Sequence, residues 1–213
     1  MTEDKIDEMI EKLCCCDKSR KAMCHPLLRL LPWVVVLALY VVFAVGYIGV
    51  RTDIEAKMMD MHFLFEIGLA AFIGISAAIC AAWLAVPDMC GHKGLLALPL
   101  TGLGVFAFWS TLSGFTGEWG WPGVLEFQHC HSDATLIAVV PALAMAFFIR
   151  KGATTCPFLA AFMTALAAGG MGYISLRMTC SMDTVGHVLV FHLAPFIALG
   201  MILGLLARKI YKW

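Results

Sequence analysis

The sequence predicts an all-α polytopic membrane protein: a six-transmembrane-helix bundle with both termini cytoplasmic. Three observations predict it. The 213 residues are 61% hydrophobic and only 14% charged, with mean hydropathy +0.86, whereas a soluble domain carries about a quarter charged residues. Six apolar runs of near-spanning length alternate with short polar connections. The Lys and Arg residues divide unevenly between alternate connections, twelve on the side of the amino-terminal tail and three on the other.

Residues 1–30 are the long polar stretch and are expected to be a cytoplasmic tail. Thr2 suits a helix N-cap, and Glu3 and Asp4 suit the positive end of a helix dipole. Ile6, Met9, Ile10 and Leu13 then follow at i, i+3, i+4 and i+7, an apolar stripe on one helical face. Lys5, Asp7, Glu8, Glu11 and Lys12 occupy the other face. Such a stripe cannot form a core by itself. It lies on the membrane surface, packs on the spans, or binds a partner. No cleavable leader is expected, because the first apolar run is too long for a signal's apolar core.

The transmembrane domain is expected over 31–207, with spans at 31–50, 63–86, 95–115, 132–149, 158–176 and 188–207. Leu31–Val50 is uncharged throughout; at about 1.5 Å per residue, twenty residues cover roughly 30 Å, the thickness of the hydrocarbon core. The second run is broken only by Glu66, and the third carries no charge. Ala134–Ile149 reaches span length by taking in part of the polar stretch before it. Only helices and closed barrels satisfy backbone groups in lipid, and the alternation of barrel strands is absent. Gly74 with Ala78, Ala161 with Ala165 and Ala168, and Gly200 with Gly204 suit close helix approach. Pro141 and Pro195 are candidate kinks.

Orientation follows from charge. Only Arg51, Lys57 and Arg177 fall on the side away from the tail. Basic residues stay cytoplasmic, so the tail and the basic end at 208–213 are expected in the cytoplasm. Trp33, Trp119, Trp121, Tyr211 and Trp213 fall near the two interfaces, as aromatic belts do.

Net charge is zero, which gives no reason to expect direct nucleic-acid contact. No nucleophile–base pair, phosphate loop or HExxH motif occurs, so no enzyme is expected. Glu66 is the acidic residue inside a run, with His62 four residues earlier on the same face. A proton-coupled transporter needs such groups nearer the midplane, so Glu66 is read as an interfacial carboxylate. His192 is read as an interhelical hydrogen-bond donor.

The outer loops hold Cys130 and Cys180, the two cysteines on that side, out of nine. Three readings stay open for them: a disulfide or redox-active pair, metal-responsive thiols, or neither. His129, His131, Met178, Met182 and His62 are candidate soft-metal ligands on the same side, and Met58, Met59, Met61 and His187 add possible thioether and imidazole ligands. No cofactor is expected, and a bound soft metal ion is left open. Cys14, Cys15, Cys16 and Cys24 are expected to be reduced surface thiols.

The order of these features resembles a bacterial family, the NrsF-type anti-sigma factors (negative regulators of sigma-F). The resemblance runs through T-E-D-K-I-D-E-M-I-E-K-L, R-T-D-I-E-A-K, F-L-F-E-I, A-V-P and the Cys130 loop. It continues through P-A-L-A-M-A-F-F-I-R-K-G-A, A-A-G-G, T-C-S-M-D-T and the basic-aromatic end R-K-I-Y-K-W. The chain departs from the pattern in its cysteine-rich tail and in M-M-D-M-H. The resemblance implies a bacterial inner-membrane inhibitor of an extracytoplasmic-function sigma factor. The cytoplasmic tail, with inner loops, would sequester the sigma factor, and Cys130 and Cys180 would take part in sensing; the stripe Ile6, Met9, Ile10 and Leu13 is the expected docking face, and an envelope redox or metal change the expected signal. The competing class is a soft-metal-binding or transport protein, or a thiol-redox membrane protein.

Overall fold

Backbone groups in an apolar segment must be satisfied within it, and in the computed structural model every regular element among the described residues is helical. The structure describes residues 25–87, 89–116, 127–150 and 154–210. In chain order the helices are α1 (Pro26–Ile48), α2 (Ile54–Lys57), α3 (Met61–Leu84), α4 (Lys93–Thr116), α5 (Phe127–Arg150), α6 (Pro157–Thr179), α7 (Val185–His187) and α8 (Ala194–Ile210). A 3-10 turn (Met89–Gly91) lies between α3 and α4, and a π-helical segment (Val188–Leu193) joins α7 to α8.

The helices begin earlier than the apolar runs. α1 starts at Pro26, five residues before the expected span, because proline at the first helical position needs no N–H partner. His25 Nδ1 accepts from the Leu27 amide at 3.3 Å and caps the end. The helix stops at Gly49, whose φ of 96° is open to glycine and strained for other residues. α3 starts under a cap in which Asp60 Oδ1 accepts from the His62 amide at 2.9 Å. α5 starts at Phe127, so the backbone of His129, Cys130 and His131 is helical, not loop. The expected span at 132–149 is extended by a polar turn, whose carbonyls are thereby offered to the amides of the following turn. Trp33 Nε1 donates to Pro141 O at 3.0 Å, and Tyr40 Oη donates to Leu136 O at 2.7 Å, which bolts α1 across α5 at its proline.

Among the described residues five stretches are long and apolar enough to cross a membrane: Pro26–Ile48, Met61–Leu84, Gly94–Phe115, Pro157–Thr179 and Val185–Lys209. α6 is the central helix, 78% buried along its apolar window against 17% for α1. It packs on α3, α8, α5 and α1. Its alanines and glycines explain that place, since van der Waals contact drives helices together in lipid and small side chains shorten the approach. At the α3–α6 crossing Gly170 faces Gly74, and a Cβ on Gly170 would meet Ala70 O and Gly74 Cα at 2.6 Å. Large apolar side chains such as Leu39, Phe43, Phe72, Ile75, Phe108 and Leu205 point outward, a surface suited to lipid.

The two ends of the bundle differ. At one end Cys90, in the 3-10 turn, is disulfide-bonded to Cys156, just before α6. Closing a loop of 66 residues removes denatured-state entropy worth about 4 kcal/mol in the chain-entropy picture. At the other end Arg51, Lys57, Glu66, Arg177 and Asp183 gather.

The glycine crossing gives a direct test. Gly170→Ala is expected to destabilise the bundle by about 1–3 kcal/mol, the usual range for overpacking. Gly68→Ala, where an added Cβ meets nothing within 4 Å, is expected to leave stability unchanged or slightly raised. Thermal unfolding of the two variants in detergent measures the difference.

Candidate functional site

A buried guanidinium needs its charge and its donors satisfied, and Arg51 organises the end where this is done. Its side chain is fully buried. Nε donates to Asp53 Oδ1 at 2.6 Å and Nη2 to Asp53 Oδ2 at 2.8 Å. On the other flank Nη1 and Nη2 donate to the two oxygens of Asp183 at 3.1 and 3.0 Å. Nη1 also donates to the Cys180 carbonyl at 2.9 Å, and the Arg51 amide donates to Met178 O at 3.0 Å. Two bidentate carboxylate pairs on one planar guanidinium suit arginine's fork and no lysine could copy them.

Asp183 is shared further. Lys57 Nζ lies 2.7 Å from its Oδ2, and Arg177 Nη1 donates to its Oδ1 at 2.7 Å. Arg177, 5% exposed, reaches Glu66 as well, with Nη2 donating to Oε2 at 3.1 Å. Tyr173 donates to the same carboxylate. Phe63, buried in α3, takes both guanidiniums on its ring, Arg177 at 5.2 Å and Arg51 at 5.9 Å from the centroid. Arg51, Lys57 and Arg177 thus balance Asp53, Glu66 and Asp183. The network joins the chain after α1, α2, α3, the end of α6 and the segment before α7.

The sequence reading of Glu66 as an interfacial carboxylate places it at the right end of the span but misses its partners. Arg51 and Arg177 were informative only as an orientation count, yet they are the anchors. The readable signal was that the three bases on that side, Arg51, Lys57 and Arg177, share their connections with Asp53 and Asp183, with Glu66 at the start of the adjoining run.

A cavity of about 180 Å³ opens beside the network, lined by Lys57, Asp60, His62, Glu66, Trp109, Arg177 and Asp183 among others. It has room for water or a small ion and is below the size of pockets for larger ligands. His62 sits at its exposed rim, its ring 5.2 Å from that of Trp109.

Beneath the network Cys180 ends α6, its Sγ 3.4 Å from His187 Nε2. His187 and His192 are completely buried, with ring centroids 5.1 Å apart. The three side chains each offer one donor atom within 4.8 Å of the others. In an α-helix residues five apart point about 140° away from each other. The π-helical segment after His187, in which the Ala194 amide bonds to Leu189 O, widens the turn and brings His192 onto the face of His187. Pro195 follows directly; its ring disfavours the ordinary i−4 carbonyl geometry, and a wider turn relieves that clash.

Of the other sequence candidates, Met178 and Met182 contribute backbone carbonyls, accepting from the Arg51 amide and from Arg177 Nη1 at 3.4 Å. His62 is not among the converging donors of the described residues. The side chains of His129, Cys130 and His131 lie outside the described residues, as do Ile6, Met9, Ile10 and Leu13. Sequence reasoning counted His187 among the possible imidazole ligands without pairing it with Cys180, and read His192 as a lone interhelical donor and not as a ligand.

Burial opposes ionisation of Asp183, but hydrogen bonds from Arg51, Lys57 and Arg177 outweigh it and hold the carboxyl well below the usual carboxylate range. Hydrogen bonds to Asp53 and Asp183 raise Arg51 above its ordinary value, against the opposing effect of burial. A carboxyl whose folded pKa is depressed stabilises fully above its unfolded value, and that stability is lost as pH falls towards the folded one. Asp183→Asn is therefore expected to lower stability by about 2 kcal/mol, a charge-assisted hydrogen-bond scale reduced for partial exposure. The difference between wild type and variant should hold constant from pH 5 to 8 and close only below about pH 4, near the unfolded carboxylate value. Thermal unfolding across that pH range checks both magnitude and sign.

Neither a curated protein nor a solved structure matches the chain. A protein-family model described as "Negative regulator of sigma F" does, over residues 18–213. The match covers the ion network, the Cys180–His187–His192 group and all the long helices, and begins after the apolar stripe of the tail. The chain belongs to the NrsF family, the negative regulators of sigma F.

Proposed function

We propose that the protein is a membrane-held anti-sigma factor that sequesters an extracytoplasmic-function sigma factor and releases it when Cys130 and Cys180 meet an envelope redox or metal signal. The family match over nearly the whole chain carries this reading. The arrangement in the membrane supports it. α5 has 24 residues, about 36 Å of helix, so it serves as a sixth span beside the five apolar ones. An even number of spans puts both termini on one side. The excess of Lys and Arg on that side makes it the cytoplasmic face of a bacterial inner membrane.

The tail is the part that reaches the sigma factor. Ile6, Met9, Ile10 and Leu13 dock as an amphipathic helix in a groove of the partner. Cys180 lies at the opposite end of the bundle, at the junction of α6 with the last helix. A signal there shifts the tail between holding and releasing states only if it binds one of those states better than the other.

Three outcomes test the reading. Purification from membranes should bring down a sigma factor identifiable by mass spectrometry. Replacing Ile10 and Leu13 together by aspartate should abolish that capture, and undiminished capture would remove the tail from the mechanism. Cys130→Ser with Cys180→Ser should still retain the sigma factor while a reporter of its activity stops responding to oxidant or metal. A normal response in that double variant would discard the sensing role.

A further inference from the structure

The donors beneath the ion network are a thiol and two imidazoles, the set preferred by borderline and soft metal ions and unsuited to magnesium or calcium. The separation of Cys180 Sγ and His187 Nε2 is 3.4 Å. A tetrahedral zinc site with Zn–S of about 2.3 Å and Zn–N of about 2.0–2.1 Å has donor edges of roughly 3.4–3.6 Å. All three donors already lie within 4.8 Å of one another, so small side-chain rotations complete the set. A second observation is independent of that spacing. Both imidazoles are completely buried, yet among the described residues no hydrogen-bond partner lies within bonding geometry of His187 Nδ1 or of either ring nitrogen of His192. Buried polar atoms without partners are uncommon and call for an explanation such as an ordered water, a bound ion, or a catalytic or redox role. The π-helical segment that aligns the two histidines is itself a departure from regular helix of a kind frequent at functional sites.

We propose that Cys180, His187 and His192 bind one thiophilic divalent cation of zinc-like chemistry. On binding, the Cys180 thiol releases its proton to solvent and the thiolate and two neutral imidazoles each donate a lone pair; no electron is transferred. Three protein ligands leave a fourth position open to water or an incoming thiol, which makes the ion exchangeable. Cys180 is part-exposed and forms the accessible edge of the group, while the histidines form its floor. The inference deepens the signal-input step of the proposed function. It rests on that reading only for what occupancy does to sigma-factor retention.

The test uses the full chain in detergent, with Cys14, Cys15, Cys16 and Cys24 replaced by serine so that tail thiols do not compete. Titration with Co2+ should saturate at one ion per chain with a thiolate charge-transfer band in the near ultraviolet, and one equivalent of Zn2+ should displace it. Cys180→Ser should remove the band, and His187→Gln and His192→Gln should each weaken binding at least tenfold. Zn2+ should also raise the thermal midpoint of the parent chain. A parent without the band, or a His187→Gln/His192→Gln double variant that binds Co2+ as tightly as the parent, would overturn the proposal. Should the histidine variants fail to fold, maleimide labelling of Cys180 in the parent, read by peptide mass spectrometry, decides instead. Saturating Zn2+ should block labelling, and an unchanged rate overturns the site. Sigma-factor retention is scored separately on the same membranes, so loss of metal binding leaves sequestration standing and loss of sequestration leaves the site standing.

Discussion

One carboxylate holds the ion-paired end of this bundle together. Asp183 sits between Arg51, Lys57 and Arg177, two cations from the connection between α1 and α3 and one from the end of α6. Burying arginine is unfavourable unless its charge and its donors are met. Arg51 meets that demand with two carboxylates on its edges and Phe63 on its face, and its side chain is left with no exposed surface. The segment from Cys180 to Thr184 is helically bonded only at its two ends, where the Cys180 amide donates to Leu176 O and the Val188 amide donates to Thr184 O. Its course is set by Asp183 and by the carbonyls of Cys180 and Met182 that the two arginines grip. Charge satisfaction, more than apolar packing, therefore decides where the last helix begins.

Cys180 belongs to two systems at once. Its carbonyl accepts from Arg51 and its thiol faces His187. Any change in what the sulfur binds moves a residue whose backbone is already committed to the arginine network. The network in turn is fastened to α3 through Glu66 and to the chain after α1 through Arg51 itself. Coupling between the sulfur and the helices thus has a contiguous physical route, made of short charge-assisted hydrogen bonds with little slack.

Much of this was legible in the sequence, and the failures have particular causes. Apolar runs located the long helices because lipid leaves the backbone few alternatives. Their ends were misplaced where a proline or an aspartate starts a helix before hydropathy rises, as at Pro26 and Asp60. Hydropathy also could not show that the polar turn around Cys130 continues α5, since helical hydrogen bonding is indifferent to side-chain polarity. The small-residue positions did announce close packing, and Gly74 meets its counterpart at Gly170. His192 looked solitary because helical periodicity separates it from His187; only the wider π-helical turn unites them. The Cys90–Cys156 bond joins positions 66 residues apart and has no local signature. The ion network escaped for a similar reason: its members are paired by folding and not by spacing.

The two ends of α3 and α6 are restrained by different chemistry, and this shapes how they can move against each other. Near the middle of both helices Gly74 and Gly170 touch backbone to backbone, a contact that tolerates rocking but no separation. At one end Glu66 and Arg177 tie the helices through ions; at the other Cys90 and Cys156 tie them through sulfur. On the proposed orientation the disulfide faces the cytoplasm, where thiol systems act to reduce it. Reduction there leaves the glycine contact as a pivot and the ion network as the remaining lock. Helices are stiff, so a displacement on one side of such a pivot reappears with opposite sense on the other. On the proposed reading, an event at the ion-paired end is carried to the end where α1 begins without any change in the core between them.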